Sequence, residues 1–159
     1  MQEGTQSTIA EAAIKGALAG LAGGIALMLA EQLGRRTVLP ENSDTTSTAA
    51  RAVELVASEH ETSPSRAVSE ALGGTLELTW CAALGAAFGI VHSRLGTPAI
   101  VDGLALAALA YTTTASPVGV LPRIGMSPPQ AENMEEAAIP IASHVAFGVA
   151  TAAVFEAVS

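Results

Sequence analysis

The segment Lys15-Gly-Ala-Leu-Ala-Gly-Leu-Ala-Gly-Gly-Ile-Ala-Leu-Met-Leu-Ala-Glu31 carries no charge between its two ends. Gly16, Gly20 and Gly24 recur at every fourth residue, so on a helix they form one smooth stripe. In water each glycine weakens a helix by about 1 kcal/mol relative to alanine. In lipid the backbone must satisfy its own hydrogen bonds, so the helix persists, and the stripe lets a second backbone approach closely. The segment predicts a transmembrane helix built to pack.

The rest of the composition agrees. Of 159 residues half are hydrophobic and only 14% are charged, with a mean hydropathy of +0.44. Soluble domains carry about 25% charged residues. Against this, aromatics make up 3%, with Trp80 and Tyr111 the only Trp and Tyr, so no aromatic belt is visible. A soluble, alanine-rich helical bundle is therefore the rival. The net charge of −8 leaves no basic face for phosphate, which excludes a nucleic-acid partner. Cys81 is the only cysteine, so neither a disulfide framework nor a cysteine zinc site is expected. The opening Met1 to Gln6 has no basic run, and a cleavable signal peptide is not expected.

Going outward from the first segment, Thr8 is placed to cap a helix from about Ile9, with Glu11 completing a capping box. That helix runs to about Arg36 and ends at Val38-Leu39-Pro40. A polar loop follows, then a short amphipathic helix over Ala49 to His60. Its apolar face is Ala49, Ala52, Val53 and Val56, opposite Arg51, Glu54 and Glu59. The second long helix starts near Ser65 and runs to Leu95, with its span over 68–95 and Cys81, Gly85 and Gly89 at the same four-residue spacing. Its uncharged part, Leu78 to Ser93, is slightly short for a span, so Glu77 or Arg94 must reach back to the interface. Gly96-Thr-Pro98 makes a turn into a third helix over 98–116, which Pro117 ends or kinks. The fourth apolar run covers 137–157 and holds Pro140, His144 and Gly148.

The expected architecture is thus all-α: one integral membrane domain over 1–159, a four-helix transmembrane bundle. Helix, Val-Leu-Pro, polar loop and small-residue helix occur twice (Val38 to Pro40 and Val120 to Pro122), which suggests two parallel two-helix repeats. Four spans put both long loops on one side. These loops and their flanks carry Arg35, Arg36, Arg51, Arg66 and Arg123 against Lys15 and Arg94 opposite, so the positive-inside rule assigns them to the cytoplasm.

His144 is the leading candidate for chemistry, because an ionisable group at membrane depth is costly and marks function by default. The alternative is a neutral imidazole that glues helices together by bonding Thr112, Thr113 or Ser116. Tyr111, Thr112, Thr113, Thr114 and Ser116 either line a polar path beside Pro117 or bond the carbonyls one turn back. Glu31, Glu77, Glu135, Glu136 and Glu156 end apolar runs and read as solvated helix ends. A haem held by His92 and His144 is disfavoured, since these residues fall at different depths. No nucleophile, phosphate-loop or metalloprotease motif is present, so no catalytic residue, cofactor or metal is expected.

The run Leu121-Pro122-Arg-Ile-Gly125-Met-Ser-Pro128-Pro129, followed by His144-Val-Ala-Phe-Gly148, resembles the YagU-like group of small bacterial inner-membrane proteins over about residues 16 to 157. His144 and Gly148 match that group's histidine-then-glycine element, while the acidic first loop departs from its basic one. The resemblance implies a multi-pass inner-membrane protein of unestablished activity. The expected role is a structural or accessory subunit in contact with lipid, with other membrane subunits or with copies of itself. The alternative is a small transporter or channel with a polar path near Pro117 and His144. In both, Gly16, Gly20, Gly24, Gly85, Gly89 and Gly148 are the packing residues.

Overall fold

The computed structural model describes residues 3–39, 46–116, 119, 123 and 134–159. Among these the chain is all-helical: α1 Glu3–Val38, α2 Thr48–Glu59, α3 Arg66–Leu95, α4 Ala99–Thr114 and α5 Met134–Val158. Three of them, α1, α3 and α5, are long and apolar enough to cross a membrane, which supports a membrane protein.

Several expected boundaries move. The first helix begins at Glu3, not near Ile9, so Thr8 is not its N-cap. Nothing between Glu3 and Thr8 breaks a helix; polarity there was a poor guide to the helix end. α5 likewise begins at Met134, three residues before the apolar run. α4 is shorter than α1, α3 and α5: it has 16 residues and stops at Thr114. At 1.5 Å per residue that is about 24 Å, short of the roughly 30 Å hydrocarbon core. It ends because the amides of Ala115 and Ser116 both donate to the Tyr111 carbonyl, each at 2.9 Å. The amide of Gly119 then donates to the Ser116 carbonyl at 2.9 Å, turning the chain back over the helix end. Pro117 itself lies outside the described residues, as do Pro40 and Val120 to Pro122.

Between α3 and α4, Gly96 takes a left-handed conformation (φ 63°) and closes α3. Ser47 caps α2 by accepting from the Ala50 amide at 3.1 Å. The buried residue of α2 is Ala50, while Val56 of the expected face is 51% exposed. The reason is Gly73: a Cβ there would sit 2.8 Å from the Ala50 Cα, so α2 lies down on α3 where its backbone can come closest.

α1 is the central element and packs along both α3 and α5; α4 packs on α5 and α2 on α3. The α3–α4 contact is slight, so the ring of long helices is not evenly closed. A two-fold relating the α1–α3 and α4–α5 units would make the α1–α5 and α3–α4 contacts alike, and they are not.

The helices approach through small residues. A Cβ at Gly16 or Gly20 would run into the backbone of Gly85 or Cys81, and one at Gly89 would lie 3.0 Å from the Gly16 Cα. A Cβ at Gly24 would lie 2.9 Å from the Cys81 Cβ. On the other face of α1, a Cβ at Gly23 would be 2.7 Å from the Phe147 carbonyl oxygen. Gly148 meets Gly103 of α4 in the same manner. The interior is therefore alanine, glycine, serine and threonine around Leu27, Phe88, Leu106, Phe147 and Phe155. The larger aliphatic side chains point out. Ile14, Leu18, Ile25, Leu29 and Leu33 form an exposed row on α1, and Ile141, Val145 and Val149 another on α5. A water-soluble bundle would turn such rows inward.

Candidate functional site

Because α3 and α4 part after their turn, a cavity of about 560 Å³ remains between them, backed by α1 and α5 and closed over by the start of α2. Its size is that of a small-molecule site, for which about 300–1,000 Å³ is usual. Its wall is mainly apolar, with Leu27, Leu76, Leu84, Ala110, Ile139 and Phe147 among the residues that form it. Four kinds of polar group interrupt that wall.

The first is an ion pair one turn apart on α1. Arg35 Nε donates to Glu31 Oε1 at 3.2 Å, and Nη2 donates to the same oxygen. Both side chains are largely covered, at 16% and 26% exposure, so the guanidinium charge is neutralised where it faces the cavity. The second is Glu77 on α3, close enough to feel both members of that pair. The third is Glu136, at the start of α5.

The fourth is His144, with Thr113, Thr114 and Ser143 around it. Its Nδ1 lies 2.6 Å from the Pro140 carbonyl oxygen, which can only accept, so this nitrogen carries a proton. Nε2 lies 3.0 Å from Thr114 Oγ1, and that hydroxyl is also 2.7 Å from the Ala110 carbonyl. With neutral imidazole the hydroxyl proton chooses between Nε2 and Ala110. With imidazolium, Nε2 donates to Thr114 and the hydroxyl donates to Ala110. Either protonation state is accommodated without stranding a donor, so the imidazole can take up and release a proton in place. The Tyr111 ring stands edge-on to the imidazole at 5.7 Å.

Of the expected polar residues, then, Tyr111 and His144 come together, and Thr113 stands with His144 on the cavity wall. Thr113 Oγ1 bonds the Leu109 and Ala110 carbonyls at 2.9 Å each, and Thr112 Oγ1 bonds Ala108 at 2.8 Å. The hydroxyl that reaches His144 is Thr114, not Thr112, Thr113 or Ser116. Ser116 is buried at the end of α4. Sequence reasoning also missed Glu31, Arg35 and Glu77 as one group: it treated the carboxylates as separate helix ends. The signal available was the i, i+4 spacing of Glu31 and Arg35.

A second polar cluster sits at the other end. His92 Nδ1 donates to Asp102 Oδ2 at 2.6 Å, and Thr97 Oγ1 bonds the same carboxylate at 2.6 and 2.7 Å. His92 also stacks on Phe88 and meets Phe155 edge-on, both at 5.4 Å. These contacts clip α3 to α4 across the Gly96 turn and keep His92 away from His144. Among the described residues no three His, Cys, Asp or Glu side chains are grouped to hold a metal ion. No protein family, curated protein or solved structure matches this chain.

Proposed function

We propose that this chain is a non-enzymatic, multi-pass inner-membrane protein that binds an amphiphilic small molecule in the cavity between α3 and α4. The single observation that carries this reading is the cavity itself: apolar walls, with ionisable and hydroxyl groups contributed by α1, α3, α4 and α5. Such a site suits a molecule with a hydrocarbon body and one polar end. In this reading α4 joins α1, α3 and α5 in a four-helix membrane bundle held by glycine-zipper contacts. The arginines near the two long loops favour a cytoplasmic side for those loops, and the resemblance to the YagU-like group favours an inner-membrane location. His144, able to exchange a proton in place, offers a route to proton-linked transport of the bound molecule.

The accessory-subunit reading has less support. Its glycine stripes are taken up inside the chain, Gly16, Gly20 and Gly24 against α3 and Gly148 against α4, and so present no smooth face to another subunit or a second copy.

Two measurements test the proposal. Carbonate washing should leave the protein in the membrane pellet, to be released only by detergent; recovery in the carbonate supernatant would sink the membrane reading. For the site, Trp80 is the sole tryptophan and stands on the cavity wall, so its fluorescence reports occupancy. A brominated fatty alcohol should quench it saturably in lipid nanodiscs, and Thr113→Phe, which fills the cavity, should weaken that affinity about tenfold, roughly 1.4 kcal/mol. Quenching that rises linearly with added alcohol and ignores Thr113→Phe would report lipid partition alone and end the binding reading.

A further inference from the structure

We propose that the cavity selects cationic over anionic amphiphiles, with Glu77 as the recognising carboxylate. This rests on the binding reading above and adds the charge of the ligand to it.

Three carboxylates, Glu31, Glu77 and Glu136, face the cavity against one guanidinium, Arg35. Arg35 is committed to Glu31 through both Nε and Nη2, so it is not available to an incoming anion. No hydrogen bond or ion pair joins Glu77 to any other described residue, and it stands on the wall between Leu76 and Trp80. An anion entering here would find the one guanidinium on the wall already committed, in surroundings that screen charge weakly. A cation would supply the partner that Glu77 lacks. Trp80 lies three residues on, on the same side of α3, and its indole face attracts cations as well. The leucine and phenylalanine walls take up the hydrocarbon body. The ligand class is therefore a lipophilic monocation, a bulky amine or onium ion.

Tetraphenylphosphonium and tetraphenylborate make the test, since they share a shape and differ in the sign of their charge. Equilibrium dialysis against protein in zwitterionic-lipid nanodiscs, corrected with empty nanodiscs, gives the two affinities. The wild-type chain is expected to favour the phosphonium by about tenfold or more, the scale of one close charge pair in a partly screened site. Glu77→Gln keeps the shape and removes the charge, and should bring the preference to within about threefold. If both ions bind equally, or if Glu77→Gln leaves the preference intact, the charge proposal is overturned. Binding of both ions that Thr113→Phe weakens would in that case leave the cavity reading standing. If neither ion binds above empty nanodiscs, both the proposal and the reading beneath it fall.

Discussion

Gly85→Ala is expected to lower stability in detergent by about 1–3 kcal/mol, the usual range for overpacking a close contact, while Gly74→Ala leaves it unchanged or slightly raised. Both substitutions add one methyl to the same helix, and on propensity alone each should gain up to about 1 kcal/mol. Their surroundings separate them. A Cβ at Gly85 would sit 2.7 Å from the Gly20 amide nitrogen and closer still to other α1 backbone, so two main chains must move apart. At Gly74 the nearest atom is the Met28 Cε at 3.6 Å, an ordinary contact at the tip of a flexible side chain. Gly20→Ala presses on the same contact from the other side, so the double variant should cost less than the sum of the singles. Thermal unfolding of the four variants and the wild type in one detergent measures this. A Gly85→Ala protein as stable as wild type would mean that α1 and α3 do not meet there.

His144→Ala is expected to cost about 2–4 kcal/mol, combining a truncated side chain with the loss of two hydrogen bonds. The bonds tie α4, through Thr114, to the first turns of α5, through Pro140. The Tyr111 edge contact goes with them. The groups left behind retain partners: Thr114 still donates to Ala110, and the Pro140 carbonyl still accepts from Ser143 Oγ at 3.1 Å. That limits the penalty to lost ties and lost volume. His144→Phe restores the bulk without the proton and should recover part of the stability. If the imidazole couples proton movement to ligand movement, both variants should lose the pH dependence of flux in liposomes to the same extent. Variants that differ from wild type in stability but not in the pH profile would make His144 a structural strut and remove proton coupling from the proposal.

Much of the helix content could be read from the chain because charge-free runs between charged ends leave few alternatives. The spacing of Gly16, Gly20, Gly85 and Gly89 was equally legible, since four-residue repeats align on a helix face whatever lies opposite. Gly23, Gly73 and Gly103 were not, because none belongs to a four-residue glycine repeat and only the packing shows what each one meets. The end of α4 was legible to within two residues from Pro117; its exact stop depends on which carbonyl the next amides find, and here two of them find Tyr111. The Thr114–His144 contact joins residues 30 apart, and Glu77 faces Glu31 and Arg35 only once α1 and α3 are in register. Registers between helices are set by the fit of surfaces, which periodicity within one helix does not encode.

The central position of α1 also has a consequence for the order in which the chain can assemble as it is made. Once Leu95 has been synthesised, α1 and α3 can join as a hairpin through their glycines, with α2 settled on Gly73. α4 is made next and has little to join, because its extensive contacts are with α5. This sixteen-residue helix must therefore wait, held to the hairpin mainly by the His92–Asp102 clip, until the last helix arrives. α5 then docks on α1 and α4 at once, and its arrival completes the cavity wall. A chain that stopped short of α5 would have a first half able to fold and a fourth helix without a partner.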